Sequence, residues 1–214
     1  GGTVTGLAGT GLSIRNNGSN TTSITANGGY AFSTPLSNGA TYSVTITAQP
    51  VSPAQTCSVS GGSGTIAGAD VTTANINCIT NTYAINVATT GLIAGTLQLQ
   101  DSISSQNLSV TANGTTSFAT PVASGSSYNV TITAQPAGQT CTLSAASGTI
   151  GAAAVTVTAN CTPNTYTISG SITTLSGSGA QLQLQNTGGT PFANQTINLA
   201  SGQTSFSFSP VPDL

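Results

Sequence analysis

The feature that most limits what this chain can fold into is a segment written twice. Tyr128 to Cys161 reads YNVTITAQPAGQTCTLSAASGTIGAAAVTVTANC, and Tyr42 to Cys78 reads YSVTITAQPVSPAQTCSVSGGSGTIAGADVTTANINC. The Thr-Ala-Gln-Pro landmark, both cysteines and the following tyrosine recur at offsets of 83 to 86 residues. A self-similar period of this size marks tandem units, with small indels placed in loops. A third copy follows. Leu182-Gln183-Leu184-Gln185 repeats Leu97-Gln98-Leu99-Gln100, and Phe208-Ser209-Pro210-Val211 echoes Phe118-Ala119-Thr120-Pro121-Val122.

The phase of the copies sets the expected boundaries. Copy two opens with Tyr83-Ala84-Ile85-Asn86 and copy three with Tyr166-Thr167-Ile168-Ser169. Gly2 aligns with Gly170, so copy one is read as lacking its opening strand, and copy three stops at Leu214 before its tyrosine strand and cysteines. The expected domains are therefore 1–81, 82–164 and a partial 165–214.

Alternation bounded by turn residues predicts seven short strands in copy two. They lie at Tyr83–Thr89, Thr96–Asp101, Asn107–Ala112, Thr116–Thr120, Tyr128–Gln135, Thr140–Ala146 and Val155–Cys161. Asn27-Gly28, Asn38-Gly39 and Asn113-Gly114 supply the positive φ that tight turns need. No segment has a helical period. The pattern predicts an all-β fold of tandem antiparallel β-sandwich domains, immunoglobulin-like or transthyretin-like, with about seven strands each. Tyr128, Val130 and Ile132 are expected on the buried face, with Leu97 and Leu99, Leu12 and Ile14, and Leu182 and Leu184 in the facing sheet.

The cysteines follow from the same parity. Cys141 shares a face with Leu143 and Cys161 with Val157, and Gly151 lies midway between them in the small-residue turn SGTIGAAA. Folding the last two strands about that turn brings the sulfurs together, so Cys57–Cys78 and Cys141–Cys161 are the expected disulfides. Zinc would need further Cys or His ligands, and the chain has no His. Paired cysteines suit an oxidising compartment, which places the protein outside the cell or on its surface.

Composition excludes several function classes. Charged residues are 2% of the chain, with one Lys or Arg and three Asp or Glu, so no basic patch exists for nucleic acid. No apolar run is long enough to span a bilayer as a helix. Asp70, Asp101 and Asp213 fall at non-equivalent places, and no His or Lys stands ready to activate Ser or Thr. The expectation is therefore no enzyme, no catalytic residue, no cofactor and no metal. Asp70 and Asp101 are read as loop or turn residues and Arg15 as a solvated strand end. The junctions CITNTY and CTPNTY carry no carboxylate for calcium. Glycan acceptor motifs stand at Asn17, Asn20, Asn107, Asn113, Asn129, Asn160 and Asn194.

The order Gly-Leu-x-Gly-x-Gly-Leu, Asn-Gly, aromatic-x-Phe, Gly-x-x-Tyr, Gln-Pro and Gln-Thr-Cys resembles a tandem repeat of large secreted and surface proteins of bacteria. The run Gly39 to Cys78 carries the likeness most specifically. The resemblance implies a spacer or fibre-forming module on the cell exterior and brings no catalytic residue. Two functional expectations follow. One is a structural protein, the repeat modules of an extracellular filament, sheath or stalk, with self as partner in a head-to-tail homopolymer completed by β-strand exchange. The other is a set of spacer domains in an adhesin whose binding tip lies elsewhere. The chain ends read either as a subunit completed by its neighbour or as an excerpt of a longer array.

Overall fold

A computed structural model describes residues 1–187 and 192–213. Leu214, where the sequence reading ends copy three, lies outside them, as does the Asp213 side chain. All regular structure among the described residues is β-strand. The chain divides into two compact units. One comprises Gly1–Asn86, Ser117–Asn129 and Ser147–Thr156; the other comprises Val87–Thr116, Val130–Ala146 and the chain from Val157 on.

In the first unit, two four-stranded sheets share one apolar core. Strand Leu12–Asn16 is flanked by Asn20–Ile24 and Thr41–Ala48, with Ser63–Thr65 at the far edge. Its alternate residues Leu12, Ile14 and Asn16 are buried, as the two-residue repeat of a strand requires. The facing sheet runs Gly28–Tyr30, Gly2–Thr5, Asn75–Thr80, Gln55–Ser60. Val4, Cys57, Ile76 and Cys78 from this sheet meet Leu12, Ile14, Ile24 and Val44 from the other.

The first strand of copy one, Gly2–Thr5, aligns with Val87–Thr90, the later part of the copy-two strand Ile85–Thr90, and its buried Val4 holds it between its neighbours. Two sequence expectations need correction here. The sheets are not purely antiparallel. Gly2–Thr5 runs parallel to Asn75–Thr80, with Val4 opposite Ile76 and Thr5 opposite Asn77, since the whole copy intervenes as the crossover that parallel pairing demands. The link between the two cysteine strands is also no simple turn. The chain leaves the first cysteine strand at Gly61 (φ 62°) and lays Ser63–Thr65 against Thr41–Ser43 in the opposite sheet. Gly64 makes this crossing fit, because a Cβ there would strike the ring of Tyr42.

The same device recurs in copy two. Ala145 has φ 52°, and Ser147–Thr149 pairs with Ser127–Asn129. Sequence alternation also misses the short strand Val122–Ala123, and the expected Tyr83–Thr89 strand is interrupted at Ala84 between Thr82–Tyr83 and Ile85–Thr90.

In the second unit, Leu97–Asp101 pairs antiparallel with Gln106–Val110 and with residues 130–134. Leu97, Leu99, Val110, Val130, Val157 and Ala159 are buried. Strand Val155–Tyr166 runs through the expected 164/165 boundary, and Asn164, Thr165 and Tyr166 pair with Asp213, Pro212 and Val211. In copy three, Ala180–Leu184 pairs with Gln195–Leu199, and Ser169–Ser171 with Ser205–Ser207. Leu182 and Leu184 are only half-buried there.

Cys57 stands directly opposite Cys78, and Cys141 directly opposite Cys161. Each pair forms a disulfide with its Cα atoms 3.9 Å apart. Replacing Cys141 and Cys161 together by Ala should lower stability by about 3 kcal/mol, the loop-closure contribution for a link of this length. The urea midpoint of the full chain, with and without the pair, measures it.

Candidate functional site

Side-chain amides supply most of the directed polar chemistry in a chain with so few charges. Gln49 accepts from the Cys57 N–H (2.8 Å) and donates to the Cys57 carbonyl (3.0 Å), so its carboxamide behaves as one more peptide unit beside the strand. Gln135 does the same for Cys141, at 2.8 and 3.0 Å. Asn27 brackets Leu7, and Asn113 brackets Leu92, each accepting the N–H and donating to the carbonyl at 2.8 Å. The Asn-Gly pairs are thus more than turn formers. Asn113, a glycan acceptor motif by sequence, is exposed but has both amide atoms engaged by the Leu92 backbone.

A third amide is buried outright. Gln55, 2% exposed, accepts from the N–H groups of Ala8 and Gly9 (both 2.8 Å) and donates to the Gly6 carbonyl (2.8 Å). Gln139, equally buried, accepts from Ile93 (2.9 Å) and Ala94 (3.3 Å) and donates to Gly91 (2.8 Å). These bonds satisfy a loop that would otherwise bury orphan backbone groups. Gly6 and Gly91 lie where a Cβ would run into the carbonyls of Cys78 and Cys161, at φ 72° and 73°. Gly-Leu, Asn-Gly, Gln-Pro and Gln-Thr-Cys are therefore four parts of one lock around the disulfide.

The acidic residues do not converge. Asp101 is fully buried at the end of strand Leu97–Asp101 and accepts from the N–H (3.2 Å) and hydroxyl (2.5 Å) of Ser104. It is a strand-end residue that closes the following turn, which is why burial costs it less than an unpaired carboxylate. Asn16 stands in its place in copy one and accepts from the Ser43 N–H at 3.0 Å. Asp70 and Arg15 are exposed. Among the described residues no group of three or more His, Cys, Asp or Glu could hold a metal ion. Among them, too, no helix is long and apolar enough to cross a membrane.

The most developed site lies where copy one meets copy two. Strand Thr82–Tyr83 pairs with Val122–Ala123, Tyr83 opposite Val122. The Asn81 N–H donates to the Ala54 carbonyl (3.0 Å), and the Asn81 carbonyl accepts from the Ser124 N–H (2.8 Å). The buried Ser124 hydroxyl accepts from the Ala54 N–H (2.9 Å) and donates to the Gly151 carbonyl (2.7 Å). Gly125 passes so close to Pro53 that a Cβ would sit 3.2 Å from that ring. The pattern repeats at the next junction. Tyr166 stands opposite Val211, and the Asn164 N–H donates to the Gly138 carbonyl at 2.9 Å. Nothing in the sequence singles out Ser124 among so many serines; only its place between two loops gives it a role.

No family model and no curated protein sequence matches the chain. Among solved structures it is similar to the Bacillus anthracis TIE protein, with a TM-score of 0.52 and 11% sequence identity. The match covers 99% of this chain, which spans 43% of that protein's length. A likeness at this identity concerns the fold. Together with the paired cysteines it defines an all-β, disulfide-bonded protein suited to an oxidising compartment.

Two measurements test the side-chain roles. Gln139→Leu should cost about 3 kcal/mol, because it strands several backbone groups of the 91–94 loop, and chemical denaturation reads this directly. Burial also raises the Tyr30 pKa above 10.0. Its neutral form, donating to the Ala74 carbonyl at 2.6 Å, therefore stabilises the fold below about pH 10, and that contribution is lost as pH rises through the folded-state value. An alkaline difference titration against Tyr30→Phe should show the missing phenolate transition above pH 10.

Proposed function

We propose that this chain is a non-enzymatic structural protein, a run of immunoglobulin-like β-sandwich modules belonging to an extracellular filament, sheath or stalk. The observation that carries the reading is the repeated junction. Asn81 and Ala54 of copy one are hydrogen-bonded to Ser124 of copy two, and Asn164 of copy two pairs with Asp213 of copy three. Successive copies are thereby joined by direct polar contacts. This favours a stiff array over a flexible tether.

The near absence of charge supports the same reading. Lateral contacts between such surfaces bury few ions, so they avoid a large desolvation cost and respond little to ionic strength. Disulfides close each cysteine pair covalently, as suits exposure outside the cell. Self is the expected partner, and glycans at the exposed acceptor motifs would decorate rather than build the array.

Electron microscopy of native material at low and high salt tests this. Smooth filaments with a regular axial repeat are expected in both conditions. Isolated rods or particles at every salt concentration would overturn the structural reading in favour of passive spacers.

A further inference from the structure

Copy one and copy two differ at one place where their sequences agree. Phe32 aligns with Phe118, Tyr42 with Tyr128 and Ile66 with Ile150. In copy two these side chains are buried, at 3%, 7% and 1% exposed. In copy one all three are only half-buried, and they border an open cleft of about 970 Å³ that also touches Gly1, Leu36 and Val71.

What closes the site in copy two is the segment Asn81–Ile85. Ile85 is fully buried, and its carbonyl accepts from the Phe118 N–H at 3.0 Å. The Ala84 carbonyl accepts from Val155 (3.1 Å), Tyr83 pairs with Val122, and Asn81 accepts from Ser124. Gly1 aligns with Asn86, so a residue in the place of Ile85 would directly precede Gly1.

The receiving loop is already formed in copy one. Gly39 donates to the Ile66 carbonyl and Ile66 to the Ala40 carbonyl, both at 2.9 Å. Gly125, Ile150 and Ser126 make the same two bonds at 2.8 Å in copy two, where the strand is seated. Leu36 and Asn38 stand where Val122 and Ser124 meet that strand. The loop conformation is therefore independent of the occupant.

We infer that this cleft is a slot for a β-strand of the type Asn-Thr-Tyr-Xaa-Ile, delivered by another repeat of this kind. Both junctions of the chain contain that pattern, as Asn81–Ile85 and Asn164–Ile168. Main-chain bonds hold such a strand at the sheet edge, and the fully buried position that Ile85 takes in copy two selects an apolar residue there. The inference rests on the array reading above and names a surface through which another repeat of this kind would join.

The test uses the full chain with Asn-Thr-Tyr-Ala-Ile joined ahead of Gly1. The extended chain should melt several degrees higher than the unextended one, and a version with Asn-Thr-Ala-Ala-Asp should not. No rise, or an equal rise with both extensions, overturns the proposal. A fluorescent Asn-Thr-Tyr-Ala-Ile-Asn peptide supplies the second readout by anisotropy. Its binding to the unextended chain should weaken at least about tenfold when the slot is filled by the extension. Equal binding to both chains would place its site elsewhere and overturn the assignment. These measurements need only the isolated chain, so the slot and the filament reading can fail separately: microscopy judges one and melting the other.

Discussion

The structure depends on side-chain carboxamides that take the place of backbone. A β-fold with long connecting loops must pair every buried N–H and C=O, and water is excluded from the places where loops cross the sheet ends. Gln49 and Gln135 each pair both groups of a cysteine, and Gln55 and Gln139 each bind three backbone groups of the Gly-Leu loop. An amide presents a donor and an acceptor without charge. A chain with a charged content of 2% can therefore pair these loop groups without a salt bridge that would have to be desolvated.

The disulfides and the amides reinforce one another. Cys57 and Cys141 have their backbone groups bound by a glutamine while their sulfurs cross to the facing strand. Gly6 and Gly91 let the Gly-Leu loop press on the carbonyl of the partner cysteine. Covalent link, loop and strand are held in one small volume. Junction contacts then start from this rigid end: Ala54 adjoins Gln55, and Gly138 adjoins Gln139. The residues that lock copy one internally thus also position Ala54, whose N–H donates to Ser124 of copy two.

Much of this was legible in residues whose meaning is local. Alternation at Leu12–Asn16 and Leu97–Asp101 marks strands, because one face is buried and the other is wet. The opposed inward positions of Cys141 and Cys161 follow from the same period. The crossing strand Ser147–Thr149 was not legible, since its residues are all exposed and small, and its reason is the ring of Tyr128 lying over Gly148. Asp101 looked like a turn residue and proved to be a buried one, because burial depends on what packs above the strand end. Gln55 and Gln139 were visible only as part of a motif, with no hint of the three backbone groups each one binds.

The sequence by itself determined the class of structure and the repetition: apolar and polar residues alternate with the strand period, and one pattern is written again with its cysteines in phase. Only the tertiary structure decided the parallel pairing of Gly2–Thr5, the crossing between cysteine strands and the place of Ser124 between two copies. Period and propensity act within a few residues, so they record which face of a strand is buried. Which strand lies beside which, and where a loop finds its hydrogen-bond partner, is settled by the packing of residues separated by 70 positions in the chain, as Ala54 and Ser124 are.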